Sequence, residues 1–241
     1  DYDYGRGKFY FAYVRSNNVT SSANGNTEGE VVVNDRWGKN TRGINFSCTY
    51  ATSEYGSGMD PSIVWEENQG IGHSYGYNRN EQLDDYKSSR ELILLLCDIV
   101  ARGGNLLLDI GPTADGRIPV IMQQRLVDMG DWLKLNGEAI YETEAFKQSY
   151  QWSPGIRRKK SDASFMAGYS ISKMVVPVKD TASIECFFTR KNKDLYCILP
   201  LYRPWFELKN ISPGTTTKLT VLGTSKNIPW KQQGKNVMID L

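Results

Sequence analysis

Three short runs, Val31-Val32-Val33, Ile63-Val64-Trp65 and Asn105-Leu106-Leu107-Leu108-Asp109-Ile110, show almost no alternation between apolar and polar residues. A strand patterned this way has to be covered on both faces, which is the situation of a parallel sheet. Two helical patterns share the same stretch of chain. Ser88 to Arg102 spaces Leu92, Leu95, Leu96, Ile99 and Val100 three and four apart and is stopped by Gly103-Gly104. Pro119 to Asn136 opens on a proline, turns Ile121, Leu126, Met129, Trp132 and Leu133 to an inner face, and ends at Gly137. Polar residues gather where the runs end: Asn34-Asp35-Arg36-Trp37-Gly38 after the first, Glu66-Glu67 after the second. Between them, 39–61 has little periodicity and reads as a long loop. The order strand, loop, strand, loop, helix, strand, loop, helix predicts part of a parallel α/β barrel, with its site at the carboxyl ends of the strands.

After about Tyr150 the texture changes. Short alternating stretches (Ser183 to Thr189, Leu195 to Leu201, Thr216 to Leu222, Val237 to Leu241) and the turn-like Lys191-Asn192-Lys193-Asp194 predict an antiparallel all-β domain. The division falls at 149/150.

Composition narrows the chemistry. Lys+Arg 29 against Asp+Glu 27 gives a net charge of +2, and the one basic cluster, Arg157-Arg158-Lys159-Lys160, follows a Pro-Gly pair like a solvated loop. Nucleic acid is therefore an unexpected partner. No apolar run is long enough for a membrane span. A Ser/His/Asp triad or a histidine-rich metal site needs histidine in specific roles, and the single histidine, His73, is the one residue that could fill them. Cys48, Cys97, Cys186 and Cys197 form no CxxC pair, which excludes a zinc ribbon. Carboxylates and aromatic rings remain as the working groups.

Arg36 stands at a predicted strand end, where a guanidinium fork can donate paired hydrogen bonds to hydroxyls or carboxylates; the plainer reading is a surface pair with Asp35. Glu54, in the long loop, and Glu66, at a strand end, are the acidic candidates: a carboxylic acid beside aromatic rings can hold its proton near neutrality and act as a general acid. An isolated Glu is also common on ordinary solvated surface. Gly72-His73-Ser74-Tyr75-Gly76-Tyr77-Asn78 offers aromatic faces on a glycine-flanked loop, suited to the C–H face of a sugar or simply to packing. His73 reads as a rim residue. The Gly103-Gly104 pair lacks phosphate-loop spacing and fits close helix-to-strand packing.

Four of these segments together, VVVNDRWG (Val31 to Gly38), WEENQGIGHSYGYNRNE (Trp65 to Glu81), GGNLLLDIGPTADGRIP (Gly103 to Pro119) and RLVDMGDWLKLNGEAIY (Arg125 to Tyr141), closely resemble the α-L-fucosidases of glycoside hydrolase family 29. The resemblance implies an α/β fold: a partial (β/α)8 TIM-like barrel contributing its C-terminal strands and helices over 1–149, then an antiparallel β-sandwich domain over 150–241. A barrel takes ~250 residues, so about half of one is expected here. The implied activity is removal of terminal α-L-fucose from glycans with retention, by double displacement between two carboxyl groups. The family nucleophile is an Asp on the strand before the NDRWG strand. Asp1 and Asp3 are the acids in that region, and neither is followed by the expected Gly. The expected nucleophile therefore lies upstream of Asp1.

Arg36 matches the fucose-contacting arginine and Tyr75 the ring near the sugar's C5 methyl. Glu54, in an EY element, or Glu66, in the WE pair, matches the acid/base, with Glu54 favoured. No cofactor or metal is implied. The expected partners are fucosylated glycans or glycoconjugates, and a homo-oligomer is compatible with this. Secreted, periplasmic or lysosomal placement fits such substrates, the three sequons at Asn18, Asn45 and Asn210, and a Cys186 to Cys197 bridge. The alternative is a catalytically inactive fucosidase-like protein that binds glycans.

Overall fold

The computed structural model describes residues 20–21, 27–28, 33–36, 49–55, 62–158, 170–224 and 226–241. Strands β1 (Thr20–Ser21) and β2 (Thr27–Glu28) form a small antiparallel pair. Strands β3 (Val33–Asn34), β4 (Thr49–Glu54), β5 (Trp65–Gly70) and β6 (Gly104–Asp109) form a parallel sheet in the order β3-β4-β5-β6. Helix α1 (Ser89–Ala101) makes the crossover from β5 to β6, and α2 (Val120–Asn136) follows β6.

Strand β4 lies inside the segment expected to be a loop, so Glu54 ends a strand. The run Thr49-Tyr50-Ala51-Thr52-Ser53-Glu54 was illegible because neither of its faces carries a large aliphatic residue. Strand β5 starts at Trp65, later than the apolar run suggests, and contains Glu66, Glu67, Asn68 and Gln69. Two of its buried polar side chains bond to each other: Gln69 donates to Glu67 Oε1 at 2.8 Å on the helix-covered face.

Sequence signals set the ends of α1. The Ser88 side chain accepts from the Glu91 N–H, and Glu91 accepts in return from the Ser88 N–H. At the other end Gly103 takes φ +78°, and its N–H reaches the Val100 carbonyl. Besides the expected Leu92, Leu95 and Ile99, α1 buries Leu94, Cys97, Asp98 and Ala101, because it packs on the parallel sheet, on α2 and on the antiparallel sheet at once. On α2, Met122 is buried with Met129, while Ile121 and Leu126 are partly covered. Gly104 is required by a strand neighbour: a Cβ there would lie 2.3 Å from the fully buried Trp65 ring.

The second sheet is β7-β8-β9, antiparallel, from β7 (Glu144–Trp152), β8 (Ile184–Lys191) and β9 (Asp194–Ile198). The short helix α3 (Ile171–Val175) precedes β8. Lys191 pairs with Asp194, and Asn192 at φ +55° makes the expected tight turn. The third sheet, β10-β12-β11, combines β10 (Trp205–Leu208), β11 (Trp230–Gln233) and β12 (Asn236–Asp240). Cys186 and Phe188 from one sheet meet Phe206, Leu208, Val237 and Ile239 from the other in a shared core, so the two sheets pack face to face.

Thr216 to Leu222 forms no strand and contributes only a bridge between Thr220 and Asn227, since β10 and β11 already flank β12. Strand β7 straddles the 149/150 division. Its alternation is broken by register shifts between Ala145 and Tyr150, which hides it in the sequence. Cys186 and Cys197 are free thiols, contrary to the expected bridge. Cys197 sits opposite Phe188, diagonal to Cys186, whereas a bridge favours directly opposed positions with close Cβ atoms.

Asp98 fastens the α/β part to the antiparallel sheets. Fully buried on α1, it accepts from Arg102 at 2.7 Å and from the Tyr150 hydroxyl of β7 at 2.6 Å.

Candidate active site

In a parallel sheet, residues in register share a face. Thr52 pairs with Glu66 and Asn105, and Glu54 pairs with Asn68 and Leu107. These side chains, with Asp109, line the face opposite α1. Asn105 and Leu107 are exposed there, Leu107 by 50%. The helix-covered face carries Ala51, Trp65 and Glu67, all buried.

Arg36 leaves the end of β3 and crosses to β4. Its Nη1 donates to Glu54 Oε1 and its Nε to Thr52 Oγ1. The Thr52 hydroxyl donates in turn to Asp35 Oδ1 at 2.6 Å, and Asp35 is buried. The simple Asp35 to Arg36 surface pair is thus replaced by a chain running Asp35, Thr52, Arg36, Glu54, which fixes the guanidinium at the strand ends. The Glu54 side chain remains 28% exposed, open to a ligand. Trp37, Gly38, Asp1 and Asp3 lie outside the described residues, as do the Asn18 and Asn45 sequons; Asn210 is exposed at φ +57°.

Glu66 occupies the same face one pleat lower, level with Thr52. Burial pushes its carboxyl above the usual carboxylate range, against the opposing pull of the Asn68 side chain, which donates to it at 3.3 Å, and of the Arg36 charge. Two residues along a strand span ~6.6 Å, so Glu54 stands at the rim and Glu66 further in.

Tyr75 reaches the rim from the loop after β5. Its hydroxyl donates to the Asn68 carbonyl at 3.1 Å, and its ring lies 5.1 Å from that of Tyr55 at a tilt of 56°. Burial is the main cause holding its phenol protonated, and Glu54 adds to it. The loop is seated by Gly111, where a Cβ would lie 2.4 Å from the Tyr77 nitrogen. Arg36, Glu54, Glu66 and Tyr75 therefore all belong to one face or its rim. His73 is an exposed rim residue, with Nδ1 3.4 Å from Asp85.

Three further residues on this face escaped the sequence. Thr52 and Asn68 hold the charged groups, and Asp109 ends β6 with its carboxyl raised by burial. Only position at a strand end, once the register is known, marks them.

The described part of the sheet thus gathers a guanidinium paired with Glu54 at the strand ends, an aromatic ring beside them and a second carboxyl group, Glu66, deeper on the same face. The chain belongs to the alpha-L-fucosidase family, whose sequence model matches residues 2–138. It is 41% identical over 124 residues to the alpha-L-fucosidase of Dictyostelium discoideum, covering 52% of this chain and 27% of that protein. It is 35% identical over 208 residues to the human tissue alpha-L-fucosidase, covering 83% of this chain and 38% of the other. Among solved structures, the Thermotoga maritima alpha-fucosidase in complex with a mechanism based inhibitor superposes with a TM-score of 0.64 at 31% identity, over 87% of this chain and 41% of that one. The chain thus spans less than half the length of these relatives.

Proposed function

We propose that this chain supplies one side of the active site of a retaining exo-glycosidase that hydrolyses terminal α-L-fucose from glycans. The parallel sheet is then the C-terminal part of a (β/α)8-like barrel and its open face looks into the barrel. The exposure of Leu107 and Asn105 on that face, against the covered opposite face, supports this reading. The division into a barrel part, 1–149, and a β domain, 150–241, is proposed, with the boundary falling within β7.

The observation that carries the assignment is the one-pleat offset between the two glutamates. Sites of parallel barrels lie at the carboxyl ends of the strands, and of the two glutamates Glu54, paired with Arg36, is the one at that level. In the first step an Asp from the part of the protein outside this chain attacks the anomeric carbon. The bond to the leaving oxygen breaks, and that oxygen takes the proton of Glu54. In the second step Glu54 accepts a proton from water as the water attacks the anomeric carbon and releases the enzyme carboxylate. Arg36 donates to sugar oxygens, and Tyr75 presents an apolar face to the C5 methyl. Fucosylated glycans are the proposed partners, in a secreted, periplasmic or lysosomal setting.

The test is Glu54→Gln and Glu66→Gln in the complete protein, assayed on an aryl α-L-fucoside with and without azide. Loss of turnover in Glu54→Gln, restored by azide with an α-L-fucosyl azide product, supports the assignment. Rescue confined to Glu66→Gln overturns it. Fucose binding without turnover by the unaltered protein would favour the inactive glycan-binding alternative.

A further inference from the structure

Tyr55, directly after Glu54, has φ +47°, a left-handed conformation that is costly for a residue with a Cβ and one that surrounding contacts must enforce. The Tyr55 hydroxyl accepts from the Gly70 N–H at 3.1 Å and donates to the His73 carbonyl at 3.4 Å. It therefore spans the end of β5 and the start of the loop that carries Tyr75. A Cβ at Gly70 would lie 2.6 Å from this hydroxyl, so only glycine lets it in. Lys87 Nζ donates to the Gly70 carbonyl at 2.6 Å and stands 5.2 Å from the centre of the Tyr55 ring.

The ring also abuts Tyr75. Tyr55 also borders a cavity of about 180 Å³ together with Gln69, His73, Lys87 and Glu91. The hydroxyl bonds, the Lys87 ammonium and the Tyr75 ring together fix where the Tyr55 side chain lies.

We propose that Tyr55 is a positioning residue that sets Glu54 and Tyr75 relative to each other: its backbone ends β4 with the Glu54 carboxyl turned to the rim, and its hydroxyl ties that turn to the loop holding Tyr75. This rests on the reading of Glu54 as acid/base. A mispositioned acid impairs protonation of the leaving oxygen, so its loss shows most on substrates whose leaving group needs a proton.

The experiment compares Tyr55→Phe and Tyr55→Leu with the unaltered complete protein, on a dinitrophenyl α-L-fucoside and on a fucosyl disaccharide, with folded fraction followed by near-ultraviolet circular dichroism. Tyr55→Phe is expected to lower kcat on the disaccharide roughly tenfold while changing turnover of the dinitrophenyl substrate less than about twofold. Tyr55→Leu is expected to widen that gap. An equal loss on both substrates, or none on either, overturns the proposal. Glu54→Gln run in parallel separates the two ideas: if it keeps full activity on the disaccharide, the acid/base reading fails irrespective of what Tyr55 does.

Discussion

Arg36 and Glu54 stand at the ends of neighbouring parallel strands and form an ion pair, with Thr52 accepting from the same guanidinium. The pair places a cation and a carboxyl group side by side at the mouth of the sheet, where a sugar oxygen can exchange for one of the two partners.

Replacing Arg36 with Met removes the donor fork and leaves Glu54 without that partner. A hydrogen bond to a charged group contributes about 1.5–3 kcal/mol, so kcat/KM for an aryl α-L-fucoside is expected to fall roughly 10- to 150-fold. Steady-state kinetics of the complete protein check this. An unchanged kcat/KM would remove Arg36 from the site.

Tyr75 offers a test of sugar selectivity. With Tyr75→Ser, the preference for an α-L-fucoside over the α-L-galactoside, which carries a hydroxyl on the corresponding carbon, is expected to drop about tenfold or more, in the range that one apolar contact provides. Tyr75→Phe keeps the ring and should keep the preference. Competition between the two substrates reads the ratio directly, and equal effects of Ser and Phe would contradict the placement.

Asp98 is a matter of stability. Its carboxylate is fully buried and receives both Arg102 and Tyr150. Asp98→Ala leaves the guanidinium largely buried beside an empty position, a change expected to cost about 3–5 kcal/mol. Denaturant unfolding should show the loss. Tyr150→Phe, which leaves the ion pair in place, should cost much less.

Glu185 governs part of the acid response. Burial pushes its carboxyl up, but the side chains of Lys209 and Gln151, together with Arg203, overcome that and hold it below its ordinary value of 4.5. A depressed carboxyl contributes stability that is present above the unfolded value and is lost as pH falls through the folded one. Melting temperature should therefore decline on acidification below about 4.5, and Glu185→Gln should flatten that decline while lowering stability at neutrality. A decline of unchanged steepness in the variant would assign the acid sensitivity elsewhere.

The helices were legible because their signals are local. The Ser88 cap, the Gly103 stop and the leucine spacing of α1 act within a turn or two of chain, and they end the helix where the structure ends it. The turn at Asn192 is of the same kind. Strand β4 was not legible, since Ala51 and Ser53 are small enough to lie under a covering layer without an apolar signature. Strand β7 was hidden by its bulge, and the polar half of β5 by Glu67 and Gln69, which bond to each other under that layer.

For the site the split is similar. Residue types at Arg36, Glu54, Glu66 and Tyr75 were readable, and with them the chemistry of carboxyl groups and aromatic faces. Which of the glutamates stands at the rim was not, because that depends on the register Glu54 to Asn68 and Glu66 to Thr52, a pairing between strands distant in sequence. The same holds for Arg36 choosing Glu54 over the adjacent Asp35, which Thr52 engages first, and for Tyr55 bridging to Gly70. Periodicity and caps follow from backbone geometry over a few residues and so are written along the chain. Relative height in a sheet, and the partner a charged group takes, are settled only when separate segments pack.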